Sequence, residues 1–353
     1  MALSQRILNL RPYVPGEQPQ DKKYLKLNTN ENPYPPSPKV QEFLRKFDFR
    51  KLRLYPDPLC TKIRQRLAEK YALAPEQVFV GNGSDEVLSF CFYAFFDSAQ
   101  GRLLFPEVTY SFYPVYCDYY GIAYEKVPLD GSFAVDLRGF MRKHDSCGII
   151  FANPNAPTGT CLNLDEITFL LENYPRANVV VIDEAYIDFG GVSALPLLRE
   201  FSNLLIVRTF SKSLSLAGLR LGFAMGRKDL IQALFATKDA FNSYPVNTLT
   251  QLIGEIVLSD EDYYSSVTKR IIATRDQFSK KMLAMGWNVL PSKANFVFAS
   301  KKGVPGKEVY FKLKKLGILV RHFDGKMTRD FVRITIGKKE HMAHLLQVLK
   351  DLF

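Results

Sequence analysis

An acid, a lysine and an arginine stand where apolar runs end, the places at which a sheet would offer them to a ligand. Val179-Val-Val-Ile-Asp-Glu-Ala-Tyr186 is a β-branched run leading straight into Asp183. In a parallel sheet that puts Asp183 at the carboxyl edge, where ligands bind. A helix N-cap is the plainer use of the same residue. The next apolar run ends in Arg208-Thr-Phe-Ser-Lys-Ser213, so Lys212 lies 29 residues after Asp183. A lysine there can be an ordinary surface residue. The hydroxyls of Thr209, Ser211 and Ser213 around it suit a phosphate-bearing ligand instead. Arg220, eight residues after Lys212, can grip the same phosphate with two donors.

A third loop, Val80-Gly-Asn-Gly-Ser-Asp-Glu86, lies between a strand pattern and a helix pattern. Its glycines allow close backbone approach. A helix starting near Ser84 would point N–H groups at an anion. Glu86 occupies the third position of Gly-x-Gly-x-x-Gly and no Gly-Lys-Ser/Thr follows, so a nucleotide is poorly matched. A phosphate held by a helix N-terminus, Ser and Arg, a Lys able to form a Schiff base, and an Asp for a pyridinium nitrogen are what pyridoxal 5′-phosphate (PLP) requires. Tyr186, three residues after Asp183, can hydrogen-bond the phenolic oxygen of that ring. Tyr110 can stack on its face, although an aromatic in a chain with 27 Phe and 18 Tyr is more often core.

The elements that must position these groups can be read around them. Val78–Val80, Arg102–Phe105, Gly148–Ala152, Val179–Ile182, Leu204–Val207 and Leu221–Met225 are strand-like runs. Thr61–Tyr71, Asp85–Phe96 and Leu164–Tyr174 have helical spacing, the last behind Asn163 as N-cap. The alternation predicts an α/β fold with a mainly parallel sheet covered by helices on both faces. Residues 1–38 hold seven of the 20 Pro and read as an extended arm. A long helical stretch from about Asn247 to Met285 leads to three short strands, at Asn295–Ala299, Ile318–Arg321 and Phe331–Ile336. Lys339–Leu352 reads as a closing helix. The expected division is an arm over 1–45, packing with the small domain or a partner subunit, a large domain over 46–250 and a small α+β domain over 251–353.

Composition narrows the class. The chain has 353 residues, 47% hydrophobic and 24% charged, which is globular. No apolar run approaches the ~18 residues of a membrane span, and no apolar signal core opens the chain, so a cytoplasmic protein with no membrane association is expected. Five Cys without a Cys-x-x-Cys pair fit a reducing compartment and no Cys-based metal site. His341 and His344 stand three apart without a convincing carboxylate or Cys partner, and read as surface residues. Asp260-Glu-Asp262 reads as an acidic helix start. The net charge of +11 raises nucleic acid as a partner. Yet residues 301–353 carry 13 Lys and Arg against five Asp and Glu, and Lys312, Lys314 and Lys315 read as a solvated helix face beginning near Pro305. No nucleic-acid partner is expected.

Asp183 to Tyr186, the run Ser-Lys-x-x-x-x-x-Gly-Leu-Arg ending at Arg220, and Asn153-Pro-Asn-Ala-Pro-Thr-Gly159 resemble fold type I PLP-dependent aminotransferases. Asn28-Thr-Asn-Glu-Asn-Pro33, Leu54-Tyr-Pro-Asp-Pro58, Gly81-Asn-Gly-Ser-Asp-Glu86 and Phe331-Val-Arg-Ile-Thr-Ile-Gly337 resemble, within class II, the histidinol-phosphate aminotransferase family, from about Arg11 to the C-terminus. That resemblance implies amino transfer between L-glutamate and imidazole acetol phosphate, and a homodimer with a shared active site. It implies Lys212 as Schiff-base lysine and proton carrier, Asp183 on the pyridinium, and Tyr186 on the phenolic oxygen. The backbone N–H groups of Ser84 and Asp85, with Thr209, Ser211 and Arg220, would hold the phosphate, with Tyr55 reaching it from the neighbouring subunit. Arg333, assisted by Arg321, would bind the glutamate carboxylate and the substrate phosphate in turn, with Tyr13 nearby. An aromatic amino-acid aminotransferase and a decarboxylase of a phosphorylated amino acid share much of this pattern. At one position the chain departs: Ala156 stands where the pattern has Asn before Pro-Thr-Gly. Asn155 is the neighbouring candidate for the cofactor contact, although a neighbour on an extended segment normally points elsewhere.

Overall fold

The computed structural model describes residues 3–4, 7–8, 10–142 and 145–353. β1 (Leu25–Lys26) belongs to the arm. β2 (Val78–Gly81), β3 (Arg102–Pro106), β4 (Tyr124–Val127), β5 (Ser146–Ala152), β6 (Val179–Asp183), β7 (Leu204–Thr209) and β8 (Gly222–Gly226) make one seven-stranded sheet in the order β2-β8-β7-β6-β5-β3-β4. Pairing is parallel from β4 through β7. β8 runs antiparallel to both β7 and β2. Six strands therefore share a direction and one opposes it, the mainly parallel α/β sheet expected from the sequence.

The uninterrupted apolar runs have a physical reason. Side chains alternate between sheet faces, and here both faces are covered. Leu104, Ile149, Val180, Ile182, Leu204 and Ile206 enter one core cluster. Leu103, Phe105, Ile150, Val181, Leu205 and Val207 enter another on the opposite face. A fully buried aliphatic side chain is worth about 1.5–3 kcal/mol over an exposed one, so both faces hold the register. That register pairs Ala152 with Asp183 and Asp183 with Val207. The ends of β5, β6 and β7 thus lie side by side.

A second assembly follows. β9 (Trp287–Val289), β10 (Phe296–Lys301), β12 (Arg321–His322) and β13 (Phe331–Thr335) form a four-stranded sheet, ordered β12-β13-β10-β9, while β11 (Ile318–Leu319) pairs in parallel with β1. The arm is thereby tied to the C-terminal part of the chain. Glu17 adds an ion pair to Lys314, so Lys314 is not simply a solvated residue of its helix. The long helical stretch is two helices, Thr248–Leu258 and Glu261–Ala284, divided at Ser259 and Asp260. β9 and β4 were not read from the sequence. β9 is only three residues long, and β4 is a half-exposed edge strand carrying Glu125 and Lys126. No helix among the described residues is long and apolar enough to cross a membrane.

Candidate active site

The carboxyl ends of the strands open on a cavity. Thr29, Glu31, Ser84, Asp85, Tyr110, Ala152, Ala156, Asp183, Tyr186, Thr209, Ser211, Lys212 and Arg220 all line it. Residues far apart in the chain meet because β2, β5, β6 and β7 end there, Ala152, Asp183 and Thr209 being the last residues of their strands.

One end of the cavity is built for an anion. Ser84 opens a 12-residue helix, whose first N–H groups have no partner within the helix. The backbones of this helix and of β8 almost touch: a Cβ on Gly222 would lie 2.3 Å from the Ser84 nitrogen. Gly83, at φ +85°, leaves room for the Arg220 guanidinium, which a Cβ there would meet at 2.6 Å. Arg220 pairs with Asp85 at 2.7 Å, and Tyr110 donates to the same carboxylate at 2.9 Å. Thr209 Oγ1 donates to Ser211 Oγ at 3.0 Å and accepts from the Ser211 amide at 3.1 Å. Free amides, two hydroxyls and a guanidinium fit a phosphate.

Asp183 lies at the floor and is 5% exposed. Its carboxylate accepts from the Ala185 amide at 3.0 Å and the Tyr113 hydroxyl at 3.3 Å. Burial nevertheless pushes the carboxyl up to about 7, against both hydrogen bonds. No ion-pair partner reaches it among the described residues. A protonated ring nitrogen is the counter-charge this environment lacks. The donor set and the unpaired acid together fit PLP.

The lysine between these groups is held through its backbone. Asn32 Nδ2 donates to the Lys212 carbonyl at 2.9 Å, and the next residue, Ser213, donates its hydroxyl to Asp188. Lys212 Nζ stands 5.7 Å from the Tyr186 ring centroid. Beneath, a buried ion pair clamps the ends of β6 and β7. Glu184 accepts from Arg208 Nε at 2.9 Å, and also from Ser193 and the Ala194 amide; Arg208 Nη2 lies 2.8 Å from the same carboxylate and donates to Ser193 Oγ. Glu184 follows Asp183, and Arg208 precedes Thr209. The ion pair therefore fixes the two neighbours that face the cavity.

Two arginines, Arg321 and Arg333, stand on the smaller sheet and, like Tyr13, are not among the residues that line this cavity. Arg333 donates one bond, Nη2 to the Asn28 carbonyl at 3.0 Å, while its buried Nε has no partner among the described residues. Burial lowers its pKa, yet a guanidinium stays charged near neutrality. Arg321 donates to the carbonyls of Pro15 at 3.2 Å and Val14 at 3.1 Å, fastening the arm beside Tyr13. Tyr13 packs on Phe112 with centroids 4.8 Å apart and lies 6.5 Å from Tyr110.

Asn155 is committed to its own loop: Nδ2 donates to the Val108 carbonyl at 2.9 Å and Thr158 Oγ1 at 3.0 Å, and Oδ1 accepts from Thr109 Oγ1 at 2.9 Å. Ala156, not Asn155, faces the cavity. Tyr55 does not line the cavity of its own chain; it is 83% exposed and stacks on Tyr244 at 4.7 Å. Tyr113, Asn32 and Asn30 were not singled out from the sequence. Asn30 and Asn32 lie in Asn28-Thr-Asn-Glu-Asn-Pro33, where three Asn in six residues were the available signal. Tyr113 lies among many aromatics and gave none.

Comparison with known proteins places this geometry. The family described as aminotransferase class I and II matches residues 22–349. Histidinol-phosphate aminotransferase from Syntrophus aciditrophicus is 58% identical, over 99% of this chain and 98% of that protein. The enzyme of the same name from Chromohalobacter salexigens is 49% identical, over 98% and 97%. The fold matches the crystal structure of histidinol-phosphate aminotransferase from Sinorhizobium meliloti in complex with pyridoxal-5′-phosphate, with a TM-score of 0.88 at 23% identity, covering 100% of this chain and 98% of that one.

Proposed function

The chain belongs to the class I and II aminotransferases and, within them, to the histidinol-phosphate aminotransferase family, and on that premise we propose that it moves an amino group between L-glutamate and imidazole acetol phosphate, yielding histidinol phosphate for histidine biosynthesis. Its cofactor is PLP. The observation that carries the substrate reading is the pairing of Arg321 with Arg333 across β12 and β13. A phosphate carries up to two charges and three acceptor oxygens, so two guanidinium groups suit it better than one. A lone carboxylate needs only Arg333, whose unpartnered Nε is the donor still to be used.

PLP supplies an electron sink for the bond broken at the substrate's Cα. The protein does the rest. Lys212, its backbone held by Asn32, would attach the cofactor and carry the proton between the substrate's Cα and C4′. Asp183 keeps the ring nitrogen protonated, because ionising this buried acid is costly without a cation beside it. The backbone N–H groups of Ser84 and Asp85, with Thr209, Ser211 and Arg220, would hold the cofactor phosphate, and Tyr110 would stack on the ring. Tyr186 donates to the phenolic oxygen. Arg333 orients the acid group of either substrate, so that one site serves both halves of the exchange.

Tyr55, exposed like its neighbour Leu54, suits contact with a second copy of the chain, whose cofactor phosphate its hydroxyl would reach. The working form is thus a homodimer sharing its sites, in the cytoplasm. The expected demonstration is a visible absorbance of the PLP-loaded protein that borohydride removes, with the reduced cofactor mapping to the Lys212 peptide. Lys212→Ala should stay folded and show no multiple turnover with glutamate and imidazole acetol phosphate. Turnover by that variant without added amine would overturn the assignment.

A further inference from the structure

The hydroxyl of Tyr186 is gripped from outside the cavity. Asn30 Nδ2 donates to it at 2.9 Å. Asn30 is 1% exposed and held on its other sides. Its side-chain oxygen accepts from Thr335 Oγ1 at 3.0 Å, its amide donates to the same oxygen at 3.0 Å, and its carbonyl accepts from Asn295 Nδ2 at 3.0 Å. Its backbone is left-handed, at φ +57°, a conformation that asparagine adopts more readily than most residues. The arm and the C-terminal sheet thus combine to aim one N–H at one oxygen.

The direction of that bond has a consequence. A phenol has a single hydrogen, and here its oxygen is the acceptor. The hydrogen is left for another partner, and Tyr186 finds none among the described residues. Tyr186 lines the cavity. Ala156 brings no donor there, and the Asn155 amide is spent on Val108 and Thr158. We propose that Asn30 is a positioning residue, which turns the Tyr186 hydrogen into the cavity as the donor to the phenolic oxygen of PLP. This rests on the role given to Tyr186 above.

The test reads a spectrum, not a rate. A hydrogen bond donated to the phenolic oxygen favours the deprotonated link between Lys212 and PLP, so it lowers the pH midpoint of the visible absorbance change. Asn30→Gly accepts the left-handed backbone and removes the donor together with the oxygen that accepts from Thr335; Asn30→Ala removes the same atoms and keeps a Cβ on that backbone. Both should raise the midpoint by several tenths to about one pH unit, since a hydrogen bond to a charged acceptor is worth about 1.5–3 kcal/mol. Tyr186→Phe should raise it further, and Asn30→Gly should add nothing in the Tyr186→Phe background. A folded Asn30 variant with the wild-type midpoint overturns the proposal, as does an equal rise in the presence and absence of the Tyr186 hydroxyl. A midpoint that Tyr186→Phe fails to move overturns the role of Tyr186 itself. One that moves for Tyr186→Phe and not for the Asn30 variants overturns Asn30 alone.

Discussion

Arg321 and Arg333 are register partners, their Cα atoms paired across the antiparallel β12 and β13. Like charges directly opposite on a sheet are destabilising. Here the two are used differently: Arg321 is bonded to the carbonyls of Val14 and Pro15, and Arg333 keeps a buried N–H without a partner among the described residues. Arg333→Ala should therefore impair both half-reactions, with kcat/KM for glutamate and for histidinol phosphate each falling about 100-fold or more, as when a charged contact worth roughly 2–5 kcal/mol is lost. Arg321→Ala should raise KM for histidinol phosphate more than for glutamate. Steady-state kinetics on both substrates check this, and equal losses for the two would make Arg321 a brace for the arm alone.

Asp183 provides a pH test that needs no substrate. Its carboxyl sits at about 7 in the protein without cofactor, because of burial, against about 3.9 in an unfolded chain. The folded state then holds the proton that the unfolded state has lost, so stability falls as pH rises from about 4 through 7. The total is on the order of 2–4 kcal/mol. Denaturation of the apoprotein between pH 5 and 8 should show this decline, and Asp183→Asn should flatten it. Saturating PLP should flatten it too, by giving the carboxylate a cation. The same slope in wild type and Asp183→Asn would mean that Asp183 is ionised throughout.

Gly222 is predicted to be as necessary to cofactor binding as the residues that touch the phosphate. A Cβ there would press on the Ser84 amide at 2.3 Å and on the Gly83 carbon at 2.5 Å, both backbone atoms that cannot rotate away. Gly222→Ala should cost about 1–3 kcal/mol of stability and weaken PLP binding at least tenfold, by shifting the helix start. Equilibrium dialysis of PLP against wild type and variant measures it. Unchanged affinity would show that the helix N-terminus is not part of the phosphate cup.

What could be read without coordinates follows from how local each signal is. β6 and β7 declare themselves because both faces are buried, so every residue from Val179 to Ile182 is apolar. Their ends put Asp183 and Lys212 in the right place by topology alone. Ser84 was legible because a glycine loop and a helix start are sequence-local. Contacts made at long range were not. Asn30 meets Tyr186 across 156 residues, and Tyr113 meets Asp183 across 70, through side chains whose types are common in loops and cores. Arg321 was expected to assist Arg333 in binding substrate. Its bonds to the Val14 and Pro15 carbonyls join positions more than 300 residues apart, in a segment without periodicity. The break at Ser259 and Asp260 was blurred because the apolar spacing continues into the next helix.

The substrate assignment is tested most directly by single-turnover half-reactions. The PLP-loaded enzyme is mixed separately with histidinol phosphate, phenylalanine and threonine phosphate, and the cofactor absorbance is followed, with the products identified. The predicted result is amino transfer from histidinol phosphate with the highest kcat/KM of the three, lost in Arg333→Ala. A higher kcat/KM for phenylalanine, or release of carbon dioxide from threonine phosphate in place of amino transfer, would contradict it.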